Sequence, residues 1–151
     1  METIRKDRLE SFVALLKSEG RHAVLGLDCG AGADGLHFVQ SGIHFTGVDL
    51  SEENIHAARA HGLEASVAGP ASLPFADAAF SSVWAVDALA GLPPEQWDDV
   101  VRELGRVAES GAPIAVVLPA AGPRSTGEGA GERIGDSAGT AEGFTVLRAP
   151  D

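Results

Sequence analysis

Cysteine is nearly absent. Cys29 is the single one in 151 residues, so no disulfide can form within the chain and no Cys-based zinc site can be built in it. Basic residues are scarce as well. Eleven Lys and Arg face 22 Asp and Glu, a net charge of 11 − 22 = −11. That balance argues against a nucleic-acid surface, because displacing phosphate counterions requires Lys and Arg. There is no apolar run of the ~18 residues that would span a membrane. The first eight residues, Met-Glu-Thr-Ile-Arg-Lys-Asp-Arg, are charged and lead into no apolar stretch, unlike a secretory signal. The histidines, His22, His37, His44, His56 and His61, show no metal-ligand spacing, and no internal repeat is visible. The expectation is a cytoplasmic, soluble chain without a metal, forming one domain over residues 1–151, since ~100–200 residues per domain is usual.

What is present reads as alternating helices and strands. Leu9, Phe12, Val13 and Leu16 recur at helical spacing, which predicts a helix within residues 1–20, closed by Gly20. Ala23 to Leu27 is an unbroken apolar run, the mark of a strand buried on both faces of a parallel sheet. A glycine-rich turn, Cys29 to Gly35, follows, and then a short helix from Leu36. Phe45 to Val48 predicts a second strand ending in Asp49. Ser51 suits a helix N-cap and Glu52 and Glu53 suit the positive end of its dipole. Leu63–Val67, Phe80–Val86 and Ile114–Leu118 predict three further strands. Trp97, Val100, Val101, Leu104, Val107 and Ala108 form the clearest helical face. Strands alternating with helices predict an α/β fold with a doubly wound, mostly parallel sheet and helices on both faces. Residues 119–143, rich in Gly, Ala, Ser and Thr with Ile134 as the one large aliphatic, predict a flexible loop. Gly143 to Leu147 predicts a last strand.

Ligands of open α/β sheets bind at the carboxyl ends of the strands. The first such end here is Leu27-Asp28-Cys29-Gly30-Ala31-Gly32-Ala33-Asp34-Gly35. Its glycines allow close approach of a ligand to the backbone, and the following helix offers free N–H groups. Asp49 ends the second strand about 20 residues on, where an acid can grip ribose hydroxyls. Gly30-x-Gly32-x-x-Gly35 also matches the dinucleotide fingerprint, so a nicotinamide-binding domain is an alternative. Asp28 separates the two. A carboxylate there is awkward beside a pyrophosphate and useful near the ammonium of a methionine moiety, which favours S-adenosylmethionine.

Four blocks carry a family resemblance. Leu25 to Gly32, Thr46-Gly47-Val48-Asp49-Leu50-Ser51, Leu73-Pro74-Phe75 with Asp77 to Phe80, and Arg102-Glu103-Leu104-Gly105-Arg106-Val107 stand in order over roughly residues 20–119. In this the chain resembles the class I S-adenosylmethionine-dependent methyltransferases, particularly the small bacterial ubiquinone/menaquinone-type group. The resemblance implies methyl transfer to an unidentified small molecule. It places Gly30, Ala31 and Gly32 against the methionine portion of the cofactor, with Asp28 nearby. Asp49 would hold the ribose and Leu50 would pack on the adenine. Gly69, Pro70 and Ala71 would flank the adenine edge, and Ala85 and Val86 would face the sulfur side. Asp87 sits where the family places substrate-side residues and is the candidate base.

The chain also departs from the family. Pro70 stands where an Asp is usual, Ser81 replaces an Asp, and Leu89-Ala90-Gly91 lacks a common His. The C-terminal strand pair is reduced. An alternative follows: a degenerate methyltransferase-fold protein that binds cofactor weakly or not at all and acts as a scaffold, with a partner or second copy covering an exposed sheet edge as a homodimer. Cys29 is expected to be a small turn residue without an activating neighbour. Trp84 and Trp97 are expected to pack in or near the core.

Overall fold

The structure, a computed structural model, describes residues 2–89, 92–117 and 143–150, with side chains from residue 5. The chain forms α1 (Glu2–Ser18), β1 (Ala23–Leu27), α2 (Ala33–Gln40), β2 (His44–Asp49), α3 (Glu52–Ala60), β3 (Glu64–Val67), β4 (Val83–Ala85), α4 (Trp97–Val107), β5 (Pro113–Val117) and β6 (Phe144–Arg148). The strands make one sheet in the order β3-β2-β1-β4-β5-β6. The first five are parallel, and β6 runs antiparallel to β5 with Val146 opposite Ala115. This is the expected α/β, doubly wound sheet with helices on both faces.

Each face has its own apolar core. On one, Leu9, Phe12 and Leu16 of α1 meet Phe38, Ile55 and Trp84. On the other, Val100, Leu104 and Val107 of α4 meet Leu25, Val83 and Ile114. α1 therefore buries the stripe its periodicity marks out, whereas α4 buries Val100, Leu104 and Val107 of its stripe and leaves Val101 39% exposed. Fully burying each such side chain contributes about 1.5–3 kcal/mol. α3 begins as its sequence indicates, with Ser51 Oγ accepting the Asn54 N–H at 3.1 Å.

Three expectations need correction. The strand–helix alternation breaks between β3 and β4: residues 68–82 run as turns, closed by an isolated parallel bridge between Phe80 and Ala108. Gly69-Pro70 and Pro74 deny that stretch a helical ladder. β4 is three residues long instead of seven. Its N-terminal flank is held instead by hydroxyls, since Ser81 Oγ and Ser82 Oγ both donate to the Ala23 carbonyl. α2 starts at Ala33 rather than Leu36, so the tail of the glycine-rich turn is already helix. The loop expected over 119–143 lies outside the described residues except for Gly143.

The winding order creates the site. From β1 the chain moves outward through β2 to β3, then returns to place β4 on the other side of β1. The carboxyl ends of β1 and β4 therefore flank a crevice where successive crossovers leave in opposite directions, the usual ligand position in such sheets.

Candidate functional site

The glycine loop divides its labour. Gly30 has φ +59 and open space where a Cβ would project. Gly32, at φ +104, backs onto α3, and a Cβ there would lie 2.5 Å from Leu63 Cδ1. At Gly35 a Cβ would meet the Phe45 ring at 2.6 Å. Gly30 thus faces the crevice, while Gly32 and Gly35 are demanded by packing. Cys29 lies half-buried in the turn, as expected of a packing residue, and burial beside Asp49 pushes its thiol up to about 11. It is a poor nucleophile at neutral pH.

Asp49 ties this loop to the end of β2. It is 7% exposed. Its Oδ2 accepts the Gly30 N–H at 2.8 Å, and its Oδ1 accepts the Ser51 N–H at 2.9 Å and the Asn54 side-chain amide at 3.4 Å. A carboxylate has about four acceptor positions, so capacity remains on Oδ2 for one further donor.

Asp28, at φ +58, makes no hydrogen bond or ion pair among the described residues. The crevice wall strips part of its hydration, and Asp49 and Asp87 add negative charge, so its carboxyl is held above its ordinary range. Asp87, two residues past β4, accepts from Arg5 Nη2 at 3.0 Å. The same guanidinium forms a two-pronged pair with Asp34 in the first turn of α2. Asp34 also accepts the Trp84 indole N–H at 2.9 Å. Sequence reasoning missed Arg5 and Asp34. The available signal was position: Arg5 extends the stripe of Leu9, Phe12 and Leu16, where an apolar residue would be expected, and Asp34 sits inside the glycine fingerprint.

The remaining expected residues surround the same crevice or its flank. Leu50 is 68% exposed, and Leu50 Cδ2 would lie 3.2 Å from a Cβ at Gly69. Gly69 and Pro70 are half-buried and Ala71 is exposed. Ala85 ends β4 and Val86 follows it, and both are buried in the two cores, so they offer backbone rather than side chain to the crevice. Trp84 is core, against Phe12, Phe38 and Phe144, and Trp97 is partly buried with its N–H on the Leu92 carbonyl.

This set of groups fits S-adenosylmethionine. Asp28 is an unpaired carboxylate pressed by two others, which a ligand carrying positive charge relieves. Asp49 retains an acceptor position for a hydroxyl. Leu50 presents an exposed apolar side chain beside Gly69, suited to an aromatic base. Gly30 leaves the backbone open to contact.

Residues 24–111 match the Methyltransferase domain family. The chain belongs to the class I S-adenosylmethionine-dependent methyltransferases. The match is to the domain family and does not single out the ubiquinone/menaquinone-type group. Among curated relatives, the methyltransferase GfsG of Streptomyces halstedii is 31% identical over 116 residues, covering 71% of this chain and 41% of that protein. The 27-O-demethylrifamycin SV methyltransferase of Amycolatopsis mediterranei is 28% identical over 119 residues, covering 73% and 42%. The chain thus spans about two fifths of the length of these relatives. Among solved structures, the PH0226 protein of Pyrococcus horikoshii superposes with a TM-score of 0.66 at 27% identity, covering 76% of this chain and 58% of that one.

Proposed function

We propose that this domain binds S-adenosylmethionine in the β1/β4 crevice and transfers its methyl group to an oxygen of a small molecule. The observation that carries the reading is Asp28, at the start of the glycine loop, a carboxylate without a partner among the described residues whose charge is opposed by partial burial and by the negative charge of Asp49 and Asp87. Such a cluster is costly without a cation and favourable with one. The choice of an oxygen acceptor is supported by the relative from Amycolatopsis mediterranei, whose name specifies a 27-O-demethyl compound.

When bound, the cofactor supplies a methyl group activated on a sulfonium. The protein's task is alignment and charge. Gly30 lets the backbone close on the methionine portion, Asp28 balances positive charge, and Asp49 holds the ribose. Leu50 and Gly69 flank the base. Asp87, on the β4 side, receives the proton that an acceptor hydroxyl must release, and Arg5 keeps it in place. Most of the acceleration comes from holding acceptor and methyl carbon in line, an effect worth up to about 7–11 kcal/mol in well-oriented systems.

Calorimetry with S-adenosylhomocysteine tests the reading. Binding that is weakened more by Asp49→Ala than by Asp28→Asn supports it, and absence of binding at millimolar ligand overturns it. Binding without methyl transfer to any hydroxyl-bearing acceptor would favour the scaffold alternative, for which the comparisons give no support.

A further inference from the structure

We propose that Arg5 is a positioning residue that latches the first turns of α1 across the mouth of the crevice, and that this latch sets how fast bound cofactor escapes. The inference rests on the cofactor reading above. It comes from the placement of two carboxylates, Asp34 and Asp87, around one guanidinium, with the Trp84 indole behind Asp34. Asp34 belongs to the β1 side of the crevice and Asp87 to the β4 side. Arg5 Nη2 reaches both, at 2.5 Å from Asp34 Oδ2 and 3.0 Å from Asp87 Oδ2. One side chain from a third element thus spans the opening.

The two ends of the span are unequal. At Asp34 the contact is forked, with Arg5 Nε also 3.0 Å from Oδ1, and the carboxylate is fixed by the N–H of a Trp84 that is 3% exposed. The Asp34 side chain is 15% exposed, whereas that of Asp87 is 47% exposed and holds Arg5 by one bond. Charge-assisted forks are the stronger and more directional kind of pair. Asp34 is therefore the anchor and Asp87 the releasable catch. The rest of α1 need not move, because Leu9, Phe12 and Leu16 hold it in the core. A lysine cannot reproduce the arrangement, since it lacks the planar fork that serves two carboxylates at once.

Trp84 provides the readout. In a Trp97→Phe background it is the sole tryptophan, as the chain has two, and its indole touches the anchor. Stopped-flow fluorescence would follow release of S-adenosylhomocysteine. Arg5→Ala and Asp34→Asn are expected to raise the dissociation rate about tenfold with little change in association, as is usual when contacts formed after docking are lost. Arg5→Lys should fall between them and wild type, and Lys6→Ala, which removes the next cation on α1, an exposed one paired with Glu10, should release at the wild-type rate. An unchanged dissociation rate in Arg5→Ala overturns the proposal. Amide exchange provides a ligand-free arm. Exchange at residues 6–9 about tenfold faster in Arg5→Ala, with β1 and β4 unchanged, supports the latch as a local opening, and unchanged exchange overturns it. Failure of wild type to bind S-adenosylhomocysteine would overturn the functional reading, and exchange alone would then decide the latch.

Discussion

Asp49 Oδ2 accepts the Gly30 N–H at 2.8 Å, so the acid at the end of β2 fixes the crevice-facing glycine at the end of β1. Its other oxygen takes the Ser51 N–H. Replacement by alanine leaves these amides without their acceptor in a nearly buried place, which costs about 1–3 kcal/mol. Asp49→Ala is expected to lower the melting temperature and also to weaken S-adenosylhomocysteine binding. Thermal melts and calorimetry on the same preparation check both effects.

Gly30 and Gly32 should fail differently. Gly30→Ala meets no protein atom within 4 Å and bears only the left-handed backbone, about 1–2 kcal/mol. Its methyl group would point into the crevice, so cofactor binding should suffer more than folding. Gly32→Ala drives a Cβ onto Leu63 and α3, so folding should suffer first. Comparing chemical denaturation with ligand affinity for the pair separates the roles.

Asp28→Asn should trade binding for stability. Asparagine tolerates φ +58, keeps the shape and removes the charge that Asp49 and Asp87 oppose. Because the carboxyl is held above its ordinary range, its ionised form weakens the fold at neutral pH, and acidification through its folded value relieves that. The substitution should therefore leave the melting temperature unchanged or slightly raised, within about 0.5 kcal/mol for an exposed site. It should also weaken S-adenosylhomocysteine. A clear fall in melting temperature would contradict this.

Acid should loosen the amino ends of the strands. Arg148 first, and Arg21 second, pull Glu19 down to about 2. Both arginines also donate to the Gly111 carbonyl, joining α1's end to the start of β5 and the end of β6. A carboxyl depressed in the fold contributes stability that is complete above its ordinary value and disappears as pH falls toward 2. Glu19→Gln should flatten the melting-temperature profile between pH 4.5 and 2. A variant profile parallel to wild type would contradict it.

Arg106 binds the turn region to α4. It donates to the Leu73 and Phe75 carbonyls and pairs with Glu103 and Asp77, while Glu103 accepts the Leu73 N–H at 2.7 Å. Two of the sequence blocks thus recognise each other directly. Arg106→Lys should lower the melting temperature nearly as much as Arg106→Ala, because an ammonium cannot serve four acceptors in one plane. A lysine variant that melts like wild type would refute the fork argument.

Much of this was legible in the linear chain because it depends on neighbours in sequence. The apolar run of β1 marks a strand covered on both faces. The spacing of Leu9, Phe12 and Leu16 marks one helix face, and Ser51 marks a helix start. That Asp28, Gly30 and Asp49 come together was readable because strand ends and the turns after them sit together in any sheet of this winding. The missing helix between β3 and β4 was less legible, since its turns are held by Arg106 from a helix some 30 residues away.

The sequence by itself determined the α/β class, the order of elements and the acids at the strand ends, all of which follow from local periodicity and turn chemistry. Only the tertiary structure decided which glycine borders open space and which backs onto Leu63. It alone brought Arg5 to Asp34 and Asp87, separated from it by 29 and 82 residues. The physical reason is that an ion pair spanning a crevice depends on where three elements are set by packing, and no residue's immediate neighbours encode that distance.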